Sequence, residues 1–149
     1  MAGTVFVGSS GGHLTQMLAV SDAFPRPHRW VTFDTIDARS KLAGQQVCWG
    51  HYPTTRNLPN LARNFRQAIP VMRSARPEVV MSTGAGLAVP YFWLAHRFGA
   101  RAVYMEVVDR IDSRTMTGRL VYPVADDFLV QWPEQQELYA GAKLIGPVI

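Results

Sequence analysis

The stretch TVFVGSSGGH at residues 4–13 decides the fold class of this 149-residue chain. It opens with an apolar run rich in β-forming residues, which predicts a buried strand, and residues 8–12 predict a tight glycine-rich loop. Residues 13–24 then predict a helix with its apolar residues on one face. A strand, a glycine loop and a helix in this order are typical of the first unit of a nucleotide-binding α/β fold.

The same alternation continues along the chain. Further strands are predicted at 29–33, 47–49, 78–82, 102–105, 127–131 and 143–145, and further helices at 60–75, 87–98, 113–122 and 134–140. Residues 35–43 form a polar segment between two predicted strands. The pattern predicts a Rossmann-like, doubly wound and mainly parallel α/β sheet, with ligands at the carboxyl ends of its strands. The length fits a single domain over residues 1–149.

Composition narrows the class of protein. The chain has 15 Lys and Arg against 11 Asp and Glu, and 48% of its residues are apolar, which fits a soluble globular domain rather than a disordered one. Its one cysteine, Cys48, excludes an internal disulfide and favours the cytoplasm. No signal peptide is expected, and the longest apolar stretch, 86–95, has about half of the roughly 20 residues that a membrane-spanning helix needs.

The segment 38–77 contains no acidic residue but several arginines. Within it, residues 60–75 predict an amphipathic helix, which Pro70 is expected to kink or split. The apolar stripe expected to pack on the sheet comprises Leu61, Phe65, Ile69 and Met72.

This basic segment has two interpretations. In the first, its arginines form the solvated face of an ordinary surface helix. In the second, they lie against anionic lipid headgroups, where each basic residue contributes about 1 kcal/mol. The second interpretation gives a membrane-surface role to Arg56, Arg63, Arg66, Arg73 and Arg76. Nucleic-acid binding is not expected, because no aromatic platform or nucleic-acid motif accompanies the arginines.

Two glycine-rich turns, at 8–12 and 83–86, each follow a predicted strand and precede a predicted helix. A helix N-terminus exposes unpaired N–H groups, and glycine lets a ligand approach the backbone closely, so both turns are candidate anion sites. They also fit a purely structural role as tight turns.

The first turn does not match the dinucleotide-binding fingerprint G-x-G-x-x-G. Ser10 and His13 occupy the second and third glycine positions. Asp34, about 20 residues further on, keeps a nicotinamide-dependent oxidoreductase as a minor alternative. A P-loop is excluded, since the sequence contains no G-K-[ST].

Several polar residues follow the predicted strands directly. His13 stands at a helix start, where it can act as a general base, bind a phosphate or sugar hydroxyl, or only cap the helix. Glu106 ends one strand, and Asp109 and Arg110 follow in a polar loop, a set suited either to orienting a sugar or diphosphate or to capping the next helix. The remaining histidines show no metal-ligand spacing, so no metal site is expected.

Four segments together resemble one family: GSSGGH at 8–13, YMEVVDR at 104–110, TGRLVYPVAD at 117–126 and FLVQWP at 128–133. They are similar to the acceptor-binding subunits of two-component glycosyltransferases. One branch of that family acts in dolichol-linked oligosaccharide synthesis, and another in bacterial exopolysaccharide and capsule synthesis. A more distant similarity is to the N-terminal half of the peptidoglycan enzyme that adds N-acetylglucosamine to a lipid intermediate.

The resemblance implies a GT-B enzyme divided between two polypeptides. This chain would be the N-terminal half, which binds a polyprenyl-diphosphate-linked sugar acceptor, and a separate subunit would bind the nucleotide sugar. It implies an inverting transfer without a cofactor, in which His13 is the general base and Glu106 lines the acceptor sugar site. The implied acceptor-binding residues are Gly11, Gly12, Thr83, Gly84, Gly86, Asp109 and Arg110.

The resemblance also bears on assembly and location. It implies little or no activity for the chain alone, a partner interface formed by the tail at 133–149, and a position at the cytoplasmic face of the plasma membrane. Eukaryotic members carry an N-terminal membrane helix, whereas this sequence opens directly into its first strand. A non-catalytic membrane anchor that activates a catalytic partner therefore stays open as an alternative.

Overall fold

The computed structural model describes residues 3–148, and its strands and helices alternate as the sequence predicts. The strands are β1 Thr4–Gly8, β2 His28–Thr32, β3 Gln46–Trp49, β4 Val79–Gly84, β5 Arg101–Met105, β6 Asp127–Val130 and β7 Lys143–Leu144. The helices are α1 Gly12–Val20, α2 Ile36–Lys41, α3 Leu58–Ala75, α4 Ala88–Ala95, α5 Met116–Val121 and α6 Pro133–Leu138. Short 3-10 turns follow α1, α4 and α5.

All strand pairs in the described part of the chain are parallel, and the sheet has the order β3-β2-β1-β4-β5-β6-β7. The Rossmann-like α/β prediction is confirmed. The order reverses direction between β1 and β4, where Val5 pairs with Val80. Loops leaving two neighbouring strands at such a switch point diverge to opposite faces of the sheet and leave a crevice at the carboxyl edge.

The core has two apolar layers, one on each face of the sheet. The sheet residues alternate: Val5 and Val7 face the layer built with α3, α4 and α5, whereas Phe6 faces the layer built with α1 and α2. Phe6 stacks on Trp30 of the neighbouring strand, with ring centroids 4.4 Å apart. Both faces are covered, which explains why the central strands read as continuous apolar runs.

The segment 35–43, for which the sequence predicts only a polar character, contains the short helix α2. Thr35 caps it by accepting a hydrogen bond from the Ala38 amide at 3.1 Å. Ala38 is the buried residue of this helix. Because α2 buries so little, its sequence shows no helical periodicity. The capping threonine is the main sign of the helix in the sequence.

Helix α3 runs without interruption through Pro70, and its buried face differs from the predicted stripe. Ile69 is 37% exposed, while Asn60 and Asn64 are buried. The asparagines are buried because they bind the backbone of the preceding loop. Asn60 Nδ2 donates to the Pro53 carbonyl at 2.8 Å, and Asn64 Oδ1 accepts from the His51 amide at 2.8 Å.

Among residues 3–148 there is no helix both long and apolar enough to cross a bilayer.

Candidate functional site

A cleft of about 510 Å³ opens at the carboxyl edge of the sheet, beside the switch point. The loops after β1, β4 and β5 and the start of α5 form its walls. Of the residues that the sequence singled out, Gly12, His13, Gly84, Asp109 and Arg110 line it. Stretches of chain far apart in sequence therefore meet in one cavity.

His13 lies in the first turn of α1, and its imidazole has a defined orientation. Nδ1 lies 3.1 Å from the backbone carbonyl oxygen of Thr83. A carbonyl only accepts hydrogen bonds, so Nδ1 carries the proton and a neutral His13 keeps its lone pair on Nε2. Thr83 Oγ1 in turn donates a hydrogen bond to the His13 carbonyl oxygen at 2.7 Å. The ring is thus held as a base whose second nitrogen is left for a ligand.

Gly84 makes room for this imidazole. Its φ is +138°, and a Cβ at this position would lie 2.7 Å from His13 Cε1 and 2.9 Å from Nδ1. The next residue, Ala85, also has a positive φ of 79°. Unusual backbone conformations of this kind concentrate at ligand sites, and here they bring the second glycine turn against the histidine.

Glu106 lies beneath the cleft and does not line it. The side chain is fully buried. Tyr139 Oη donates to Oε2 at 2.6 Å, Thr115 Oγ1 donates to the same oxygen at 3.0 Å, and the Val107 amide donates to Oε1 at 3.1 Å. These donors surround the carboxyl group. Through the same hydrogen bonds, Glu106 links the end of β5 to the start of α5 and to the chain after α6.

The phenols beside Glu106 serve as hydrogen-bond donors. Burial raises the pKa of Tyr104 well above its ordinary value, and the neighbouring carboxylate raises it further. Burial is also the main cause of the raised pKa of Tyr139, followed by its hydrogen bond to Glu106. Both rings therefore stay protonated through the neutral range, and Tyr104 and Thr115 form the part of this cluster that reaches the cleft.

Gly118 keeps the Glu106 cluster compact. A Cβ on Gly118 would lie 2.5 Å from Tyr139 Oη and 2.8 Å from Glu106 Oε2. Its amide donates to Thr115 Oγ1 at 2.9 Å, which is the N-cap bond of α5. One threonine hydroxyl therefore caps the helix and binds the buried carboxylate.

Gln135 holds the rim loop 107–110 in place, and Gln131, bound to Gln16, holds the residue before it. Gln131 Nε2 donates to Gln16 Oε1 and to the Glu106 carbonyl, both at 2.8 Å. Gln135 Nε2 donates to the carbonyls of Val107 and Arg110, at 2.7 and 2.9 Å. Gln16, Gln135, Tyr139 and Thr115 have no role predicted from the sequence. The sequence shows that these side chains are polar or phenolic, but neither their burial nor their partners.

Other residues singled out by the sequence lie around the cleft rather than in its lining. The Gly11 amide donates to Asp37 Oδ2 at 3.1 Å. Thr83 is buried behind His13, and Gly86 packs against Thr54, on the side away from the histidine. Asp34 is bound by Arg39, whose Nη2 donates to Oδ2 at 2.7 Å.

The five arginines with a predicted membrane-surface role are all exposed. Helix α3, which carries three of them, packs beside α4. Leu58 of α3 is 76% exposed and Trp93 of α4 is 48% exposed. Within residues 3–148 no group of three or more histidine, cysteine or acidic side chains is placed to hold a metal ion.

The fold and the cleft together define the class of protein: a Rossmann-like domain of the kind found in GT-B glycosyltransferases. The crystal structure of MurG from Acinetobacter baumannii superposes on this chain with a TM-score of 0.75, at 17% identity, over 96% of this chain and 44% of the MurG chain. This match establishes the architecture alone.

The chain belongs to the Alg14-like family of oligosaccharide biosynthesis proteins, whose model matches residues 52–148. Two relatives are named UDP-N-acetylglucosamine transferase subunit ALG14. The one from Eremothecium gossypii is 37% identical over 99 residues, which cover 58% of this chain and 44% of that protein. The one from Mus musculus is 23% identical over 178 aligned residues, which cover 97% of this chain and 82% of the mouse protein.

Proposed function

We propose that this chain is the acceptor-binding subunit of a two-subunit glycosyltransferase in oligosaccharide or polysaccharide biosynthesis. It binds a polyprenyl-diphosphate-linked sugar, and a separate subunit binds the nucleotide-diphosphate sugar and completes the active site. The observation that carries the proposal is His13, whose Nδ1 is fixed on Thr83 while Nε2 is left for a ligand at a glycine-rich helix start. Membership of the Alg14-like family and the names of the two relatives support it.

The acceptor diphosphate binds where the cleft offers positive potential. The first turn of α1 has no side-chain cap, so its amides at Gly12 and His13 remain available to phosphate oxygens. Arg110 lies on the opposite rim and supplies a guanidinium group. The turn at Gly11, whose φ is +74°, and the second glycine turn, with Gly84 and Gly86, let the ligand approach the backbone. Asp109 lies beside Arg110 to accept from a sugar hydroxyl.

The transfer is an inverting displacement at the donor's anomeric carbon. The acceptor oxygen forms the new bond to that carbon while the bond to the nucleotide diphosphate breaks, and the bonding electrons leave with the diphosphate. The proton of the acceptor hydroxyl passes to Nε2 of His13. General-base help of this kind contributes roughly 10²- to 10⁴-fold to a rate.

Glu106 acts through its neighbours in this proposal. Because it is fully buried and bound by Tyr139, Thr115 and the Val107 amide, it does not meet the acceptor sugar as the family resemblance implied. Its role is to position Tyr104 and Thr115, which do reach the cleft. We therefore keep His13 as the catalytic residue and treat Glu106 as a positioning residue.

The membrane surface of the domain is the face formed by α3 and α4. Arg63, Arg66 and Arg73 lie on α3, and Arg56 and Arg76 lie at its two ends. All five are exposed, as are Leu58 of α3 and Trp93 of α4. Arginines together with exposed apolar side chains suit the boundary between headgroups and acyl chains of an anionic leaflet. The proposal places the domain at the cytoplasmic face of a membrane.

The partner interface includes the end of the chain. Within 133–148, Tyr139 and Gln135 are buried in this domain, while Leu144 and Ile145 are exposed on 44% and 46% of their areas at the sheet edge. We propose these two side chains as the part of the tail that contacts the donor-binding subunit. Ile149, the last residue of the predicted tail, lies outside the described residues.

Reconstitution tests the two-subunit proposal. Sugar transfer to a prenyl-diphosphate sugar is measured for this chain alone, for a candidate donor-binding subunit alone, and for the two together. Turnover that requires both chains supports the proposal, and full turnover by this chain alone overturns it.

The basic α3 and α4 face also favours a second function, that of a membrane anchor which activates a catalytic partner without taking part in the chemistry. The two functions differ in the effect of His13→Ala. A rate that falls while complex formation and vesicle binding persist assigns chemistry to this chain, whereas an unchanged rate assigns anchoring. The geometry gives no support to the nicotinamide alternative, since the Asp34 carboxylate is held by Arg39.

A further inference from the structure

A second depression, of about 350 Å³, lies beside the main cleft at the carboxyl edge of β1 and β2. It is lined by Ser9, Ser10, Phe33, Tyr52, Thr54 and Thr55, among others. Ala85 lines both cavities, so the two lie side by side. The mechanism proposed above uses none of the residues that belong to the second depression alone.

Tyr52 is held in place although it is exposed. Its ring is 67% exposed and meets the buried ring of Phe33 edge to face, with centroids 5.2 Å apart and an angle of 85°. The residues on either side of it are bound by the buried asparagines of α3: Asn64 binds both backbone groups of His51, and Asn60 binds the Pro53 carbonyl. Two buried amides thus fix the short loop that presents this aromatic ring.

The chemistry of the lining indicates the kind of ligand. None of the residues that line the depression is charged, which disfavours a phosphate. Within residues 3–148, the hydroxyls of Ser10, Thr54 and Thr55 donate no hydrogen bond, which leaves them available. A row of hydroxyls is a poor wall for a prenyl chain, because apolar contact would leave them without partners.

A pyranose ring fits both the aromatic part and the hydroxyl-bearing part of the lining. Its C–H face buries apolar area on an aromatic ring, and its hydroxyls exchange hydrogen bonds with serine and threonine side chains. We propose that the second depression is a sugar-binding subsite in which Tyr52 is the stacking platform and Ser10, Thr54 and Thr55 bind ring hydroxyls. The inference rests on the proposed function, since the sugar would be a unit of the acceptor whose diphosphate lies in the main cleft.

The test is an NMR titration of the ¹⁵N-labelled full chain with methyl glycosides of glucose, galactose and N-acetylglucosamine, and separately with inorganic pyrophosphate. At least one glycoside is expected to shift the amides of Tyr52, Thr54 and Thr55. Tyr52→Ala should weaken that binding roughly fivefold or more, because the stacked apolar area is lost. Tyr52→Phe should retain it. Leu120→Ala, a change at an exposed apolar residue of α5, should leave it unchanged.

The sugar subsite is overturned if no glycoside shifts these amides, if the shifts lie elsewhere, or if Tyr52→Ala binds as well as the unaltered chain. Pyrophosphate separates this failure from that of the proposed function. Shifts at Gly12 and His13 with pyrophosphate support the main cleft independently and also report that each variant is folded, whereas a flat pyrophosphate titration counts against the acceptor site itself.

Discussion

The imidazole of His13 is bound through Nδ1 to the backbone carbonyl of Thr83, at 3.1 Å, and this bond joins the two glycine turns across the switch point of the sheet. The two residues are 70 positions apart in the sequence. The orientation of the imidazole therefore depends on the backbone conformation at the end of β4. A change in that conformation should disturb the site.

Gly84→Ala should disable the site while most of the fold is retained. The new Cβ would lie 2.7 Å from His13 Cε1, so the imidazole must move and lose its bond to Thr83. We expect activity of the reconstituted complex to fall roughly tenfold or more, since a small misplacement of a catalytic group is costly. Gly44→Ala is the control for replacing a glycine: its φ is also positive, at +79°, but nothing lies within 4 Å of the added Cβ. If both variants lose activity equally, displacement of His13 is not the cause.

Tyr139→Phe should destabilise the domain through Glu106. The change removes a 2.6 Å hydrogen bond to a fully buried carboxyl group and puts no donor in its place. We expect the free energy of unfolding, measured in urea, to fall by about 1 to 3 kcal/mol. Tyr122→Phe is the control, because its phenol donates to the backbone carbonyl of Ala140 and is partly exposed, so that water replaces the lost bond. Equal losses in the two variants would contradict a special role for the buried Glu106 cluster.

Arg66→Gln combined with Arg73→Gln should weaken binding to vesicles that contain anionic lipid. Neither guanidinium makes a hydrogen bond within residues 3–148, whereas Arg63 binds Asn60 at 2.7 Å and is left unchanged. At about 1 kcal/mol for each basic residue, the partition coefficient should fall roughly thirtyfold, and less at high salt. Arg26→Gln, a change at an arginine outside α3 that is paired with Asp22 at 2.7 Å, should have little effect. Binding that is insensitive to the α3 change but sensitive to Arg26 would place the membrane surface elsewhere.

The fold was predictable because the sequence signals for its strands and turns are local. Residues 4–13 contain a buried strand and a glycine turn in sequence order, and the same signal recurs at β4. The failures have physical reasons. Helix α2 buries too little to show a helical period, and α3 turns Asn60 and Asn64 inward because their amides bind a loop that no helical pattern describes.

The candidate site was predictable only in part. His13 and Gly84 stand next to strand ends, where position in a parallel sheet indicates ligand contact. The Glu106 cluster was not predictable, because Tyr139 lies 33 residues away and meets the carboxyl group only after α6 folds back. Gln131 and Gln16, separated by 115 residues, meet for the same reason. A single sequence shows that such residues are polar, but not which partners the topology brings to them.

The central claim, that this chain contributes chemistry through His13, is tested most directly by His13→Ala in the complex with a donor-binding subunit. The measurement is kcat for sugar transfer to a prenyl-diphosphate acceptor, together with complex formation and vesicle binding. Our account predicts that kcat falls roughly 10²- to 10⁴-fold while both binding measurements stay unchanged. An unchanged kcat in an intact, membrane-bound complex would contradict it and leave this chain an anchor for a partner that holds all of the catalytic groups.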